Sequence, residues 1–220
     1  MRKLLGVTLA ALLALVLAGP ALALELSADV VRKGMGPEHT SRIFMKDKMI
    51  RLEGVAGPMG PGYNILRQDK KVMWIVNPGQ KMYFEVPLDG LTDVSQQAQS
   101  GGRLPGEVSR KELGGEKVDG HPTTKYLITY QAGGQTHSIH QWMAKDLELP
   151  IKTADVDGAW SVEYRNIKKG PQPDGLFEVP GDFQKTSLAG LGNMMRQGRQ
   201  GQGRQGQGMG PGMGRPPQDR

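Results

Sequence analysis

The sequence predicts a mainly β protein built as an antiparallel meander, and three observations carry that reading. Between residues 25 and 187 the apolar residues fall in short, β-branched runs separated by turn signals. Hairpins registered from those turns each present one wholly apolar face. Only one stretch has convincing helical period. Strands are expected near 25–33, 40–46, 48–54, 62–68, 71–77, 81–86, 107–113, 122–131, 135–143, 150–155 and 159–167.

The second and third strands turn at Asp47-Lys48. That register sets Ile43 against Leu52 and Met45 against Ile50, with Phe44-Arg51 and Arg42-Glu53 on the reverse. A turn at Pro78-Gly79 sets Ile75 against Met82 and Met73 against Phe84, leaving Trp74 beside Tyr83 on a mixed face. A turn at Gly133-Gly134 sets Ile128 against Ile139, flanked by Tyr126 and Tyr130, with Thr129 and Ser138 outside. The helix candidate spans 88–100, where Leu88, Leu91, Val94 and Ala98 share a stripe that Asp89 or Thr92 can cap. One short helix is too little to cover a sheet of this size. An apolar concave face made of Ile43, Met45, Ile50, Leu52, Met73, Ile75, Met82, Phe84, Ile128 and Ile139 is therefore expected to be partly open, with Leu88, Leu91 and Val94 as its lid.

The ends have a different composition. Arg2 and Lys3 precede an apolar run over residues 4–17, then Gly19-Pro20 and Ala21-Leu22-Ala23, the pattern of a secretory signal cleaved after Ala23. The run is shorter than the roughly 20 apolar residues of a membrane span. Residues 24–188 form the expected domain, and 189–220 are a Gly/Gln/Arg-rich tail expected to be disordered. The formal net charge of +6 comes from these ends, because the body has equal numbers of basic and acidic side chains. A neutral body gives no basis for nucleic-acid binding, whereas Arg196, Arg199, Arg204 and Arg215 could meet an anionic membrane surface.

Catalytic chemistry is not indicated. The chain has no cysteine, which excludes disulfides, thiolate metal sites and thiol nucleophiles. No Gly-x-Ser-x-Gly, phosphate loop or dinucleotide fingerprint occurs. His39, His121, His137 and His140 are the strong nitrogen ligands, and the spacing of His137 and His140 puts them on opposite faces of a strand. No catalytic residue, metal or cofactor is assigned. Twelve methionines allow copper handling as a minor alternative, but Met45, Met73 and Met82 fall on the inward face, where adaptable side chains suit a lipid-sized ligand.

Residues 63–83, with Tyr63, Trp74, Asn77-Pro78 and Tyr83, resemble a hairpin of the periplasmic lipoprotein carriers of the LolA/LolB-like superfamily. Residues 176–183, with Phe177, Pro180 and Phe183, are similar to their terminal Phe-x-x-Pro segment. Gly34-Met35-Gly36-Pro37 and residues 141–147, with Gln141-Trp142-Met143, look like an exported bacterial family of unknown function grouped with that fold. The resemblance implies an open, strongly curved antiparallel β half-barrel with a helical lid, whose concave face holds acyl chains. The expected function is a non-enzymatic periplasmic carrier, a monomer whose partner is a lipid or acylated protein. An envelope scaffold or protein-interaction module is the alternative.

Overall fold

The computed structural model describes residues 24–57, 60–88 and 103–187. The sheet belongs to a compact unit that ends at Lys185. Its strands are β1 (Leu26–Lys33), β2 (His39–Lys46), β3 (Met49–Gly57), β4 (Gly60–Arg67), β5 (Val72–Asn77), β6 (Met82–Pro87), β7 (Glu107–Val118), β8 (His121–Ala132), β9 (Gln135–Ala144), β10 (Leu149–Asp155), β11 (Ser161–Lys169) and β12 (Gln184–Lys185). They form one open, curved sheet in the order β12-β6-β5-β4-β3-β2-β1-β11-β10-β9-β8-β7. Two meanders, β1 to β6 and β7 to β11, are therefore joined edge to edge by the antiparallel pair of β1 and β11.

The turns follow from local chemistry. Asp119-Gly120 and Gly133-Gly134 both have positive φ at each central residue, the type I′ geometry that suits the right-handed twist of a two-residue hairpin. The Asp47-Lys48 turn gives the expected register, with Ile43 opposite Leu52 and Met45 opposite Ile50. The β5-β6 turn corrects the expected one. It is four residues long, closed by Lys81 in the left-handed region and by Gln80 N–H donating to Asn77 Oδ1 at 2.9 Å. Ile75 thus opposes Phe84, and Met73 opposes Val86. A slip of two residues keeps every side chain on its face, so the inward assignment survives.

Strand β7 also runs further than expected, to Val118. Gly114 sits at φ +123 where the register shifts between Glu112 and Gly114, so the chain bulges and continues. Gly34 has a different role. At φ +79, an added Cβ would lie 1.8 Å from the Ala159 carbonyl oxygen, so only glycine lets the β1-β2 loop approach the β10-β11 loop.

The reverse face of the first meander, expected to be mixed, carries a second core. Tyr63, Ile65, Trp74 and Val76 pack with fully buried Phe177, and Leu176, Val179 and Phe183 surround them. The covering strap follows β11, passes a single 3-10 turn (Asp174–Phe177) and ends as β12, parallel to β6. The helix candidate lies outside the described residues except for Leu88, which is buried on the main core and donates its N–H to the Lys71 carbonyl.

Candidate functional site

The inward face is ordered in rows that cross the sheet. One runs Leu26, Met45, Ile50, Leu66, Met73 and Val86 across β1 to β6. Beside it lies Ala28, Ile43, Leu52, Asn64, Ile75 and Phe84. Of the expected site residues, Ile43, Met45, Ile50, Met82, Phe84, Ile128 and Ile139 are buried, whereas Leu52, Met73 and Ile75 stay partly exposed. The exposed part of the apolar face is thus the stretch over β3 and β5. Ile128 and Ile139 form a separate cluster with Leu104, edged by Tyr126, Tyr130 and Trp160. The structure packs Ile43, Met45, Ile50, Leu52 and Met73 in the main core, sets Ile75 and Phe84 beside them by register, and leaves this pair apart in the second meander. Leu91 and Val94 lie outside the described residues.

Cations on the outer face hold the strap by its backbone. Arg51 donates to the Leu176 carbonyl at 3.0 Å while stacking over Tyr63, and Arg67 donates to the Phe177 carbonyl at 3.0 Å. Arg67 also bonds Asp69 and Glu178 and is nearly buried. Hydrogen bonding to Asp69 raises its pKa further, so its charge is permanent, and the same bond holds the Asp69 carboxyl below the usual range. Lys46 donates to the Gln172 carbonyl and pairs with Asp174, Lys81 pairs with Asp182, and Lys185 pairs with Glu85. Trp74 and Tyr83 lie on this face, as expected from their phase, but under the strap.

Apart from Tyr126, which the sequence sets beside Ile128, the polar side chains of the inward face are not anticipated. Glu112, Tyr126, Gln141, Thr153, Val162, Arg32 and His39 form one row across β7 to β11, β1 and β2. Gln141 accepts from Arg110 at 3.1 Å, and Arg110 grips Glu107 with two further bonds. Burial pushes the Glu107 carboxyl up, but this grip and the Leu104 N–H hold it below its ordinary value. By contrast Ser41, Thr153 and Tyr164 bury hydroxyls that have no hydrogen-bond partner among the described residues.

Histidines are dispersed. His137 stacks on Tyr130 and His140 meets Trp142 edge-on, from opposite faces of β9 as the spacing implies. His121 pairs with Asp146, and His39 contacts the Gly54 carbonyl. Among the described residues no group of three or more His, Cys, Asp or Glu could hold a metal, and no helix is long and apolar enough to cross a membrane. Neighbouring Gln141 and Trp142 serve opposite faces. Trp142 is buried in the main core cluster with Ala144, Leu147 and Leu149, flanked by Lys125 and Lys152, with its indole N–H on Glu116.

The model of a protein family described as "Domain of unknown function (DUF4412)" matches residues 32–150, from the end of β1 into β10. The chain belongs to the DUF4412 family. The matched span of this DUF4412 protein contains the apolar rows of β2 to β6 but not β11 or the strap. Its sheet is similar to that in a structure of the MucA/MucB complex of Pseudomonas aeruginosa, at TM-score 0.50 and 16% identity, covering 82% of this chain and 64% of that one. The chain spans less than two thirds of the MucB structures it matches. It is also similar to the Mycobacterium tuberculosis lipoprotein LppX, at TM-score 0.41 and 13% identity, covering 67% of this chain and 88% of that one. A LolA superfamily protein from Nitrosomonas europaea matches at TM-score 0.30 and 13% identity, covering 78% of this chain and 96% of that one. Comparison with curated proteins finds no match.

Proposed function

We propose that this DUF4412 protein is an exported, non-enzymatic binding or carrier protein for a lipid, a lipoprotein acyl chain or another hydrophobic ligand. The observation that carries the reading is the pair of apolar rows across β1 to β6, whose members Leu52, Met73 and Ile75 remain partly exposed on an open sheet. A sheet whose apolar side served only as a core would bury that side throughout. Methionines in the rows add compliance, since an unbranched thioether repacks around chains of varied shape. The LolA superfamily neighbour and the lipoprotein LppX are in keeping with this reading, as is a secretory signal ending at Ala23. The arginine-rich tail would add electrostatic attachment to an anionic membrane surface, with the body acting as a monomer.

Mass spectrometry of the folded full chain, extracted after purification, tests the proposal: a stoichiometric co-purified lipid or acylated peptide is expected. A protein free of lipid that also fails to bind fatty-acid and phospholipid probes would refute it. A second reading, a protein-interaction module, is favoured by strand β7 at the edge of the described sheet, where Val108 and Leu113 are 64% and 44% exposed. The neighbouring MucB structure in complex with MucA fits that reading.

A further inference from the structure

The described residues contain five buried side-chain polar atoms without a partner: Arg32 Nε, Ser41 Oγ, Asn64 Oδ1, Thr153 Oγ1 and Tyr164 OH. By register all five residues lie on the inward face. Other buried polar side chains find partners: Gln141 has Arg110, Thr123 has the Glu116 carbonyl, and Arg67 has the strap. Burying a hydroxyl without a hydrogen bond is unfavourable, and a random scatter of such groups would fall on both cores.

Asn64 stands apart, within the row of Ile43, Leu52 and Ile75, and the other four lie close together. Ser41 and Tyr164 flank Val30 on either side, while Thr153 and Arg32 flank Val162. Tyr164 is thus a diagonal neighbour of both Arg32 and Thr153, roughly 7 Å away between backbone positions and within the reach of its own ring. Tyr164, Thr153 and Ser41 are only 1%, 3% and 4% exposed. Burial pushes the Tyr164 phenol well above its ordinary pKa, so it stays a neutral donor. The patch adjoins the Ala28-Ile43-Leu52 row and so lies beside the apolar rows rather than within them.

Four of the five groups can donate and Arg32 cannot accept, so the complementary chemistry is rich in acceptors and attached to an apolar chain. We propose that Tyr164, Thr153, Ser41 and Arg32 form an anchor that hydrogen-bonds the carbonyl head of an acyl chain whose tail lies along the apolar rows. This inference rests on the hydrophobic-ligand reading and assigns it a ligand class and a polarity: head at β1 and β11, tail toward β5 and β6. Because the hydroxyls are covered, the head must part the side chains over them as it enters.

The test measures binding of three probes to the full chain: a pyrene-labelled hexadecanoic acid, its methyl ester, and a pyrene-labelled hydrocarbon of the same length. Tyr164→Phe and, separately, Thr153→Val should each weaken acid and ester about three- to tenfold, the effect of losing one hydrogen bond. Hydrocarbon binding should be unchanged, and thermal stability should not fall, because neither hydroxyl has a protein partner to lose. Arg32→Met should weaken the acid more than the ester if a carboxylate is the head, and both equally if an ester carbonyl is. Acid and ester binding that is indifferent to both hydroxyl deletions, with the hydrocarbon still bound, would overturn the anchor and leave the hydrophobic-ligand reading standing. Failure of the parent to bind any of the three would overturn both.

Discussion

Phe177→Ala removes the side chain on which the outer core closes, and the structure sets the size of the effect. Phe177 is fully buried among Tyr63, Ile65, Trp74 and Val76, residues of β4 and β5 whose positions are fixed by the ladder. Those strands cannot collapse into the space left behind, so the loss should approach the full range for a buried Phe truncation, about 3 to 5 kcal/mol. For a domain of this size each kcal/mol moves the midpoint by about 2 to 4 °C, which places the drop at roughly 6 to 20 °C. Thermal melts followed by far-ultraviolet dichroism measure it. Binding of a hydrophobic probe below the new midpoint should survive, because Phe177 lies on the face opposite Ile75 and Met73. A loss under about 1 kcal/mol would mean that the strap is peripheral and that β4 and β5 are stable without it. Loss of probe binding in a still-folded variant would mean that the two faces are not independent.

Other outcomes follow from the same geometry. Ile75→Trp should compete with an acyl-chain probe and weaken it by more than about 1 kcal/mol, at a stability cost of about 1 to 3 kcal/mol, as titration and melting would show. Trp74→Phe, on the other face, should change binding little. Acid should loosen the strap: Glu178 is pushed up by burial but pulled lower by Arg67 and Lys70, and Asp69 is lowered by Arg67. Carboxyls lowered on folding contribute stability above the usual carboxylate range and lose it as pH falls through that range. Melting midpoints between pH 7 and 3 should therefore fall most steeply below about pH 4.5, and Glu178→Gln should make that acid limb shallower. Truncation after Leu188 should leave the midpoint unchanged yet abolish salt-sensitive binding to anionic liposomes, and a drop of several degrees would count against a detachable tail.

How much was legible in the sequence depends on the range of the interaction involved. Period-two alternation assigned Ile43, Met45, Ile75 and Phe84 to one face and Trp74 to the other, because that phase is a local property of the chain. The Pro78 turn was misjudged by two residues, since Lys81 adopts a left-handed conformation that its residue type does not advertise. The strand expected near 107–113 continues through a bulge at Gly114 to Val118, a difference decided by β8 continuing alongside.

The strap and the polar anchor needed the tertiary structure for a stronger reason. Phe177 covers Trp74 from more than a hundred residues along the chain, and nothing near Trp74 distinguishes a solvated mixed face from one that a distant segment seals. Ser41, Tyr164 and Thr153 become neighbours only because β1 pairs with β11, closing the first meander on the second. Read along the chain, each is an ordinary hydroxyl in a strand. Local pattern therefore determined which side of the strands in the three registered hairpins faces inward. The long-range pairing decided which inward residues meet, because hydrogen bonds between strand edges are backbone bonds and carry no imprint in the side-chain sequence.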